Sequence, residues 1–154
     1  MKREIISCTC GQTKAAVSAM PRLRFRCHCS KCQSTYKGPF ADALVFRRGQ
    51  VHLEDANQVD WIHTMRPSPL VRGICKSCHE PILAHFYFVF SIIPAIAMPG
   101  GLVPPVGHDV YYGTRAKALN DGVPKHDTVL GSYLALALPF AGVLALPGRT
   151  IAAS

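Results

Sequence analysis

Cys27-His28-Cys29-Ser30-Lys31-Cys32 is the stretch on which the reading of this chain turns. It sets three thiols close together in one short loop. Outward from it lie two pairs, Cys8-Thr9-Cys10 and Cys75-Lys76-Ser77-Cys78, and together these are the seven cysteines of the chain. Seven is odd, so a disulfide framework would leave one thiol over. Inert buried cysteines scatter singly and do not arrive as C-x-C and C-x-x-C. Metal binding is the reading that remains. Structural zinc takes four ligands, whereas a working zinc keeps one position open. The expectation is therefore two zinc ions: one held by Cys8, Cys10, Cys75 and Cys78, the other by Cys27, Cys29 and Cys32 with an open fourth position. The four-cysteine site would staple the N-terminal hairpin to the middle of the chain. Iron–sulfur ligation is the alternative that four cysteines leave open.

At 154 residues and 49% apolar content, the chain is one domain with enough material for a core, and disorder is excluded. Met1-Lys2-Arg3-Glu4 runs into Ile5-Ile6 and Cys8 with no room for a secretory h-region. The expected compartment is the reducing cytoplasm, where thiols persist. A formal charge of +8, from 17 basic and 9 acidic residues, suits an anionic partner: a small metabolite, nucleic acid or an acidic lipid surface. Arg22, Arg24 and Arg26 lie just before the cysteine loop, and Lys31 lies inside it.

The pattern along the chain is one of many short strands. Residues 3–7 and 13–18 flank a hairpin tip at Gly11. Arg22-Leu23-Arg24-Phe25-Arg26 alternates strictly, putting three arginines on one strand face. Residues 30–36 read as one or two helical turns with Ser30 as N-cap. Strands are expected at 40–46, 50–54, 58–65, 82–90 and 108–115, and residues 70–75 lead into the second C-x-x-C. Prolines make 94–107 an irregular loop, and Asn120-Asp121-Gly122 is a turn. The fold class is all-β, mostly antiparallel and zinc-stapled, with little helix. From Ser132 to Leu146 the chain is apolar and uncharged, broken by Pro139 and Gly142. It reads as a tail packed on the domain or on a partner subunit, in preference to a membrane anchor.

These pieces resemble the glutathione-dependent formaldehyde-activating enzyme family, also called the CENP-V/GFA domain. The residues that carry the resemblance are Cys8-Thr9-Cys10-Gly11, Cys27-His28-Cys29-Ser30-Lys31-Cys32-Gln33, Gly38-Pro39-Phe40, Cys75-Lys76-Ser77-Cys78 and Asp121-Gly122-Val123-Pro124. The resemblance runs over about residues 5–126. It implies the β-tent fold, a domain over 1–127 and a separate apolar tail over 128–154. It also implies the same division of the cysteines into a structural and a catalytic zinc, and the joining of glutathione to formaldehyde as the activity. His79 stands where the family usually has glycine.

A three-thiolate zinc keeps a net negative charge, so it is poorly suited to activating water and well suited to a further soft ligand, a substrate thiol. Such a thiolate attacks an aldehyde carbon; the reverse reaction cleaves the carbon–sulfur bond. The expected function is thus a carbon–sulfur lyase or synthase acting on an S-(hydroxymethyl)glutathione-like adduct. His28 is the candidate proton donor, against a reading as a loop residue turned away from the metal by its place between two ligands. Arg22, Arg24 and Arg26 are the candidate grip on the carboxylates of a small anionic thiol such as glutathione. His85 reads as a core histidine. The competing function is a non-catalytic zinc module or glutathione carrier that uses its basic surface. Phe25 is the only aromatic in the basic strand, too little to stack nucleic-acid bases. A homo-oligomer is left open.

Overall fold

The computed structural model describes residues 2–64 and 66–152. Its first sheet has three strands, β1 (Glu4–Ser7), β2 (Lys14–Val17) and β5 (Val51–Leu53), in the order β1-β2-β5. The second contains β3 (Leu23–Cys27), β4 (Ala41–Arg47), β6 (Val59–Ile62), β7 (Leu70–Cys75), β8 (Pro81–Phe86), β9 (Phe90–Pro94), β10 (His108–Val110) and β11 (Lys125–His126). Its order is β11-β10-β3-β4-β9-β8-β7-β6. Pairing is antiparallel except at one edge, where β10 runs parallel to both β3 and β11. The architecture is mostly β with antiparallel and mixed sheets and, among the described residues, two α-helices, α1 (Ser30–Tyr36) and α2 (Val129–Ala145).

Alternation along β4 divides the interior. Leu44 and Phe46 face the small sheet, joining Ile6, Val17, Val51, Ile82 and Ile93. Ala43 and Val45 face the other way, toward Leu23, Phe25, Phe90, Val110 and the inner side of α2. Period-2 side-chain placement makes the large sheet the shared wall of two cores.

Three expected elements need correction. Residues 82–90 are not one strand: Tyr87 and Phe88 take left-handed backbone at φ 49° and 58° and turn the chain from β8 into β9. Neither is a residue that advertises such a turn. The expected 108–115 strand stops at Val110, because Tyr111 is left-handed at φ 52° and a 3-10 turn follows over Tyr112–Thr114. The expected 58–65 strand ends at Ile62, and Met65 lies outside the described residues.

The tail is α2, capped by the Thr128 side chain, which accepts from the Gly131 amide. Leu136, Phe140 and Val143 pack on the large sheet, while Leu130, Leu134 and Leu138 remain exposed. No helix among the described residues is long and apolar enough to cross a membrane.

Candidate metal centres and their surroundings

The chain forms two cysteine clusters. In the first, the hairpin tip after β1 supplies Cys8 and Cys10, and the turn between β7 and β8 supplies Cys75 and Cys78. Gly11 at φ 74° and His79 at φ 60° provide the left-handed residues that curl the two knuckles. His79 thus takes the conformation of the glycine it replaces, donating its amide to the Cys75 carbonyl at 2.9 Å. Glu80 ties the knuckles together by accepting the Thr9 amide at 2.9 Å.

The sulfur geometry allows a test of fit. A tetrahedron with zinc–sulfur bonds of about 2.3 Å has sulfur–sulfur edges of about 3.8 Å. Here Cys8 lies 3.4 Å from Cys10 and 3.7 Å from Cys75, and Cys10 lies 3.7 Å from Cys75. All four sulfurs lie within 4.8 Å of one another. The donor set fits a structural zinc. Burial raises the Cys75 thiol, but hydrogen bonding, first from the Cys78 backbone, brings it down to about 6.

The second cluster is built by the end of β3 and the start of α1. Cys27 closes the strand, and the His28 amide donates to the Val110 carbonyl at 2.9 Å. Cys29 then turns extended, at φ −68° and ψ 151°, and caps the helix: its sulfur accepts from the Cys32 amide at 3.4 Å. This corrects the expected Ser30 cap; Ser30 is the first helical residue, because the sulfur one position earlier takes the free amide. Gln33 locks the loop by donating to the carbonyls of His28 at 2.6 Å and Thr114 at 2.8 Å.

Cys27 and Cys32 are buried and Cys29 is half-exposed, so the cluster opens on the Cys29 side. Their three sulfurs also lie within 4.8 Å of one another, with Cys27 and Cys29 at 3.5 Å. They share charge. The hydrogen bond with Cys27, then that with Cys32, draws the Cys29 thiol far below its ordinary range, and the same contact with Cys29 drives Cys27 far above its own. A set of thiols that gives up one proton readily and holds the others is what a dication completes by displacing them.

His28 lies where the strand alternation sends it. Its ring is fully buried between Phe40 and Tyr112, at centroid distances of 5.1 and 4.9 Å. Nε2 lies 2.8 Å from Asp109 Oδ1. The ring thus lies in the interior, against the Asp109 carboxylate.

The arginine face is likewise engaged internally. Arg24 forms a two-pronged pair with Asp42 at 2.9 and 2.7 Å and donates to the Pro104 carbonyl. Arg26 grips Asp109 at 2.6 and 2.7 Å and Asp121 at 2.6 Å. Arg22 donates to the Pro147 carbonyl beyond α2. The partners that the structure gives these three arginines all lie within the fold.

Two residues beside the three-cysteine cluster were not singled out in the sequence. Arg72, on β7, places Nη2 3.4 Å from Cys32 Sγ. Tyr36, at the end of α1, packs against the same group. Nothing in the local pattern around Leu70-Val71-Arg72 pointed to this; only the strand order brings β7 to α1. An open groove of about 600 Å³ is lined by His63, Arg66, Pro67, Ser68, Pro69 and Tyr87.

The family model described as glutathione-dependent formaldehyde-activating enzyme matches residues 4–97, a span that holds all seven cysteines. No curated protein matches the chain. Among solved structures, the crystal structure of a Rhodobacter sphaeroides protein is similar, with a TM-score of 0.55 and 14% identity over 80% of this chain and 99% of that one. At that identity the likeness is one of fold alone.

Proposed function

The chain belongs to the glutathione-dependent formaldehyde-activating enzyme family, and from this premise we propose that it is a zinc-dependent carbon–sulfur lyase or synthase acting on an S-(hydroxymethyl)glutathione-like adduct. The observation that carries the reading is the three-sulfur triangle of Cys27, Cys29 and Cys32, which offers a dication one ligand too few. A structural site closes its tetrahedron, as the four-cysteine cluster does; a site with three protein ligands keeps a place for substrate. A zinc held there supplies a Lewis-acidic centre that lowers the pKa of a thiol set beside it.

The roles of the chain's own groups follow. Cys27, Cys29 and Cys32 are ligands and not nucleophiles, so the reacting sulfur belongs to the substrate. That sulfur forms a bond to the aldehyde carbon, and the carbonyl oxygen takes up a proton, giving the hydroxymethyl thioether; the reverse reaction breaks the same bond. His28 is assigned to positioning: through Asp109 it fixes the loop that carries two of the ligands. The substrate's carboxylates are assigned to the groove at His63 and Arg66, since Arg24 and Arg26 are held by aspartates. The same pairing removes the main support for a module that binds nucleic acid or acidic proteins through a free basic strand. Seven unpaired thiols suit a reducing cytoplasm.

Calorimetry on the zinc-loaded protein tests the reading. Glutathione is expected to bind well and S-methylglutathione poorly, and Cys29→Ala is expected to abolish the difference. Equal, weak binding of the two would show that sulfur does not reach the centre. Binding without turnover of S-(hydroxymethyl)glutathione would leave a carrier.

A further inference from the structure

Two arginines are buried among the described residues, Arg26 and Arg72. Arg26 has its carboxylates, Asp109 and Asp121. Arg72 is more deeply buried, at 4% exposure. Among the described residues its side-chain partners are the Thr64 hydroxyl and the Cys32 sulfur, and no carboxylate pairs with it. A buried cation left without an anion costs several kcal/mol. The anion must come from the groups that face it, and those are the sulfurs of the three-cysteine cluster. The register fixes this orientation: Arg72 pairs with Ala84 on β8 and Ile62 on β6. Leu70, two residues earlier, packs with the group that contains Cys27 and Cys32.

Charge counting gives the role. Three thiolates around a dication keep one negative charge, and a substrate thiolate in the fourth position adds a second. We propose that Arg72 is the built-in counter-cation of the three-cysteine centre: it neutralises the centre with its three ligands and lets it accept an anionic sulfur in preference to a neutral ligand. This rests on the thiol-adduct reading for its substrate half, but the metal half stands on the cluster alone. Among the described residues, the four-cysteine cluster has no arginine among its hydrogen-bonding partners. It lies at the surface, with Cys10 exposed and Cys78 half-exposed, where water screens the charge.

The strand supplies its own control. β7 carries Arg72 three residues before Cys75, a ligand of the other cluster. A change that merely disturbs β7 should loosen both sites, whereas loss of the counter-charge should weaken one. The experiment is a zinc titration of the reduced protein against a competing chelator, resolving two sites, on the native chain, Arg72→Met, Arg72→Gln and Arg72→Lys. Arg72→Met is expected to lower zinc affinity at the three-cysteine site by about thirtyfold, within the range for removing one partner of a close buried charge pair. The four-cysteine site should be unchanged, and Arg72→Lys should recover most of the loss, because it restores the charge. If the methionine variant does not fold, the glutamine variant, polar and uncharged, is expected to show the same selective loss.

Unchanged affinity in both uncharged variants overturns the proposal. So does equal loss at both sites, which would make Arg72 a structural residue of β7. A lysine variant as weak as methionine also overturns it, in favour of guanidinium geometry. Glutathione calorimetry with excess zinc separates the two readings. If the native protein binds no thiol while Arg72→Met still loses zinc selectively, the counter-cation stands and the thiol-adduct function falls. If the native protein binds thiol and Arg72→Met binds it equally well, the function stands and the substrate half of the counter-cation role falls.

Discussion

Arg26 and Asp109 face each other across the parallel pair β3–β10 and are joined twice, Nε to Oδ1 at 2.6 Å and Nη2 to Oδ2 at 2.7 Å. Burial works against the Asp109 carboxylate, but the hydrogen bonds from Arg26 and then His28 hold its pKa below the usual range. The same carboxylate therefore serves the strand and the residue between Cys27 and Cys29. Asp109→Asn leaves the Arg26 charge short of a buried partner and loosens the His28 contact. The expected cost is about 3 kcal/mol in denaturant unfolding of the zinc-loaded protein. A loss below about 1 kcal/mol would mean that Asp121 alone suffices for Arg26.

His79 holds a left-handed backbone, φ 60°, that favours glycine. Its side chain is exposed. His79→Gly should relieve the strain, partly offset by the greater entropy of glycine in the unfolded chain. A net gain of about 0.5–1 kcal/mol is expected in equilibrium unfolding, with the zinc content unchanged. Destabilisation instead would show that the imidazole makes a contact worth more than the strain.

The difference between what the sequence discloses and what it hides is physical. The cysteine clusters were legible because ligand spacing is a local constraint: C-x-C and C-x-x-C bring sulfurs together within single turns. The division into four and three matches the spatial grouping of the sulfurs. Arg22, Arg24 and Arg26 mark the limit of that reading: alternation gives a face and not its neighbours, and whether that face meets solvent, substrate or Asp42 and Asp109 depends on which strands flank it. β10 joins β3 in parallel from more than eighty residues away, and a short strand of three residues carries little signal of where it docks. The Tyr87-Phe88 turn was hidden for a different reason. Two aromatic residues in left-handed backbone contradict local preference, so the tertiary pairing of β8 with β9 overrode it. Arg72 was invisible because its partner lies across the sheet.

His85 stacks on Trp61, the only tryptophan of the chain, with ring centroids 4.9 Å apart and planes 19° apart. Burial, assisted by the nearby Arg48 charge, lowers its pKa to about 4. A protonated imidazole quenches indole emission, so Trp61 fluorescence should fall with a midpoint near 4 and not near the ordinary histidine value of about 6.5. Stability carries the same sign. Below about 6.5 the unfolded chain takes up a proton that the folded chain refuses. This contribution is therefore complete above that pH and declines as the pH falls toward 4. His85→Phe should remove both the fluorescence transition and this part of the pH dependence. A midpoint of 6 or higher in the native protein would contradict the half-buried, stacked placement.

Arg47 closes the C-terminal end of α2. Its Nε donates to the Val143 carbonyl at 2.9 Å, and its Nη2 donates to those of Leu144 and Leu146, each at 2.6 Å. The last carbonyls of a helix have no partners within it, and a guanidinium satisfies them and complements the helix dipole at once. The cap matters more here because Pro139, inside α2, already removes one internal hydrogen bond. On the inner face Phe140 meets Phe25, Phe86 and Phe90 at 6.1, 5.6 and 4.7 Å between centroids. These two attachments are separable. Arg47→Met should cost about 1–3 kcal/mol and raise amide exchange in the last turns of α2 while the sheet stays protected. Phe140→Ala should cost about 3 kcal/mol and raise exchange along the whole helix, including its capped N-terminal turn. Measured by hydrogen exchange resolved along the chain, identical protection patterns for the two variants would show that α2 leaves the sheet as one unit. The guanidinium cap would then be no separate hold on it.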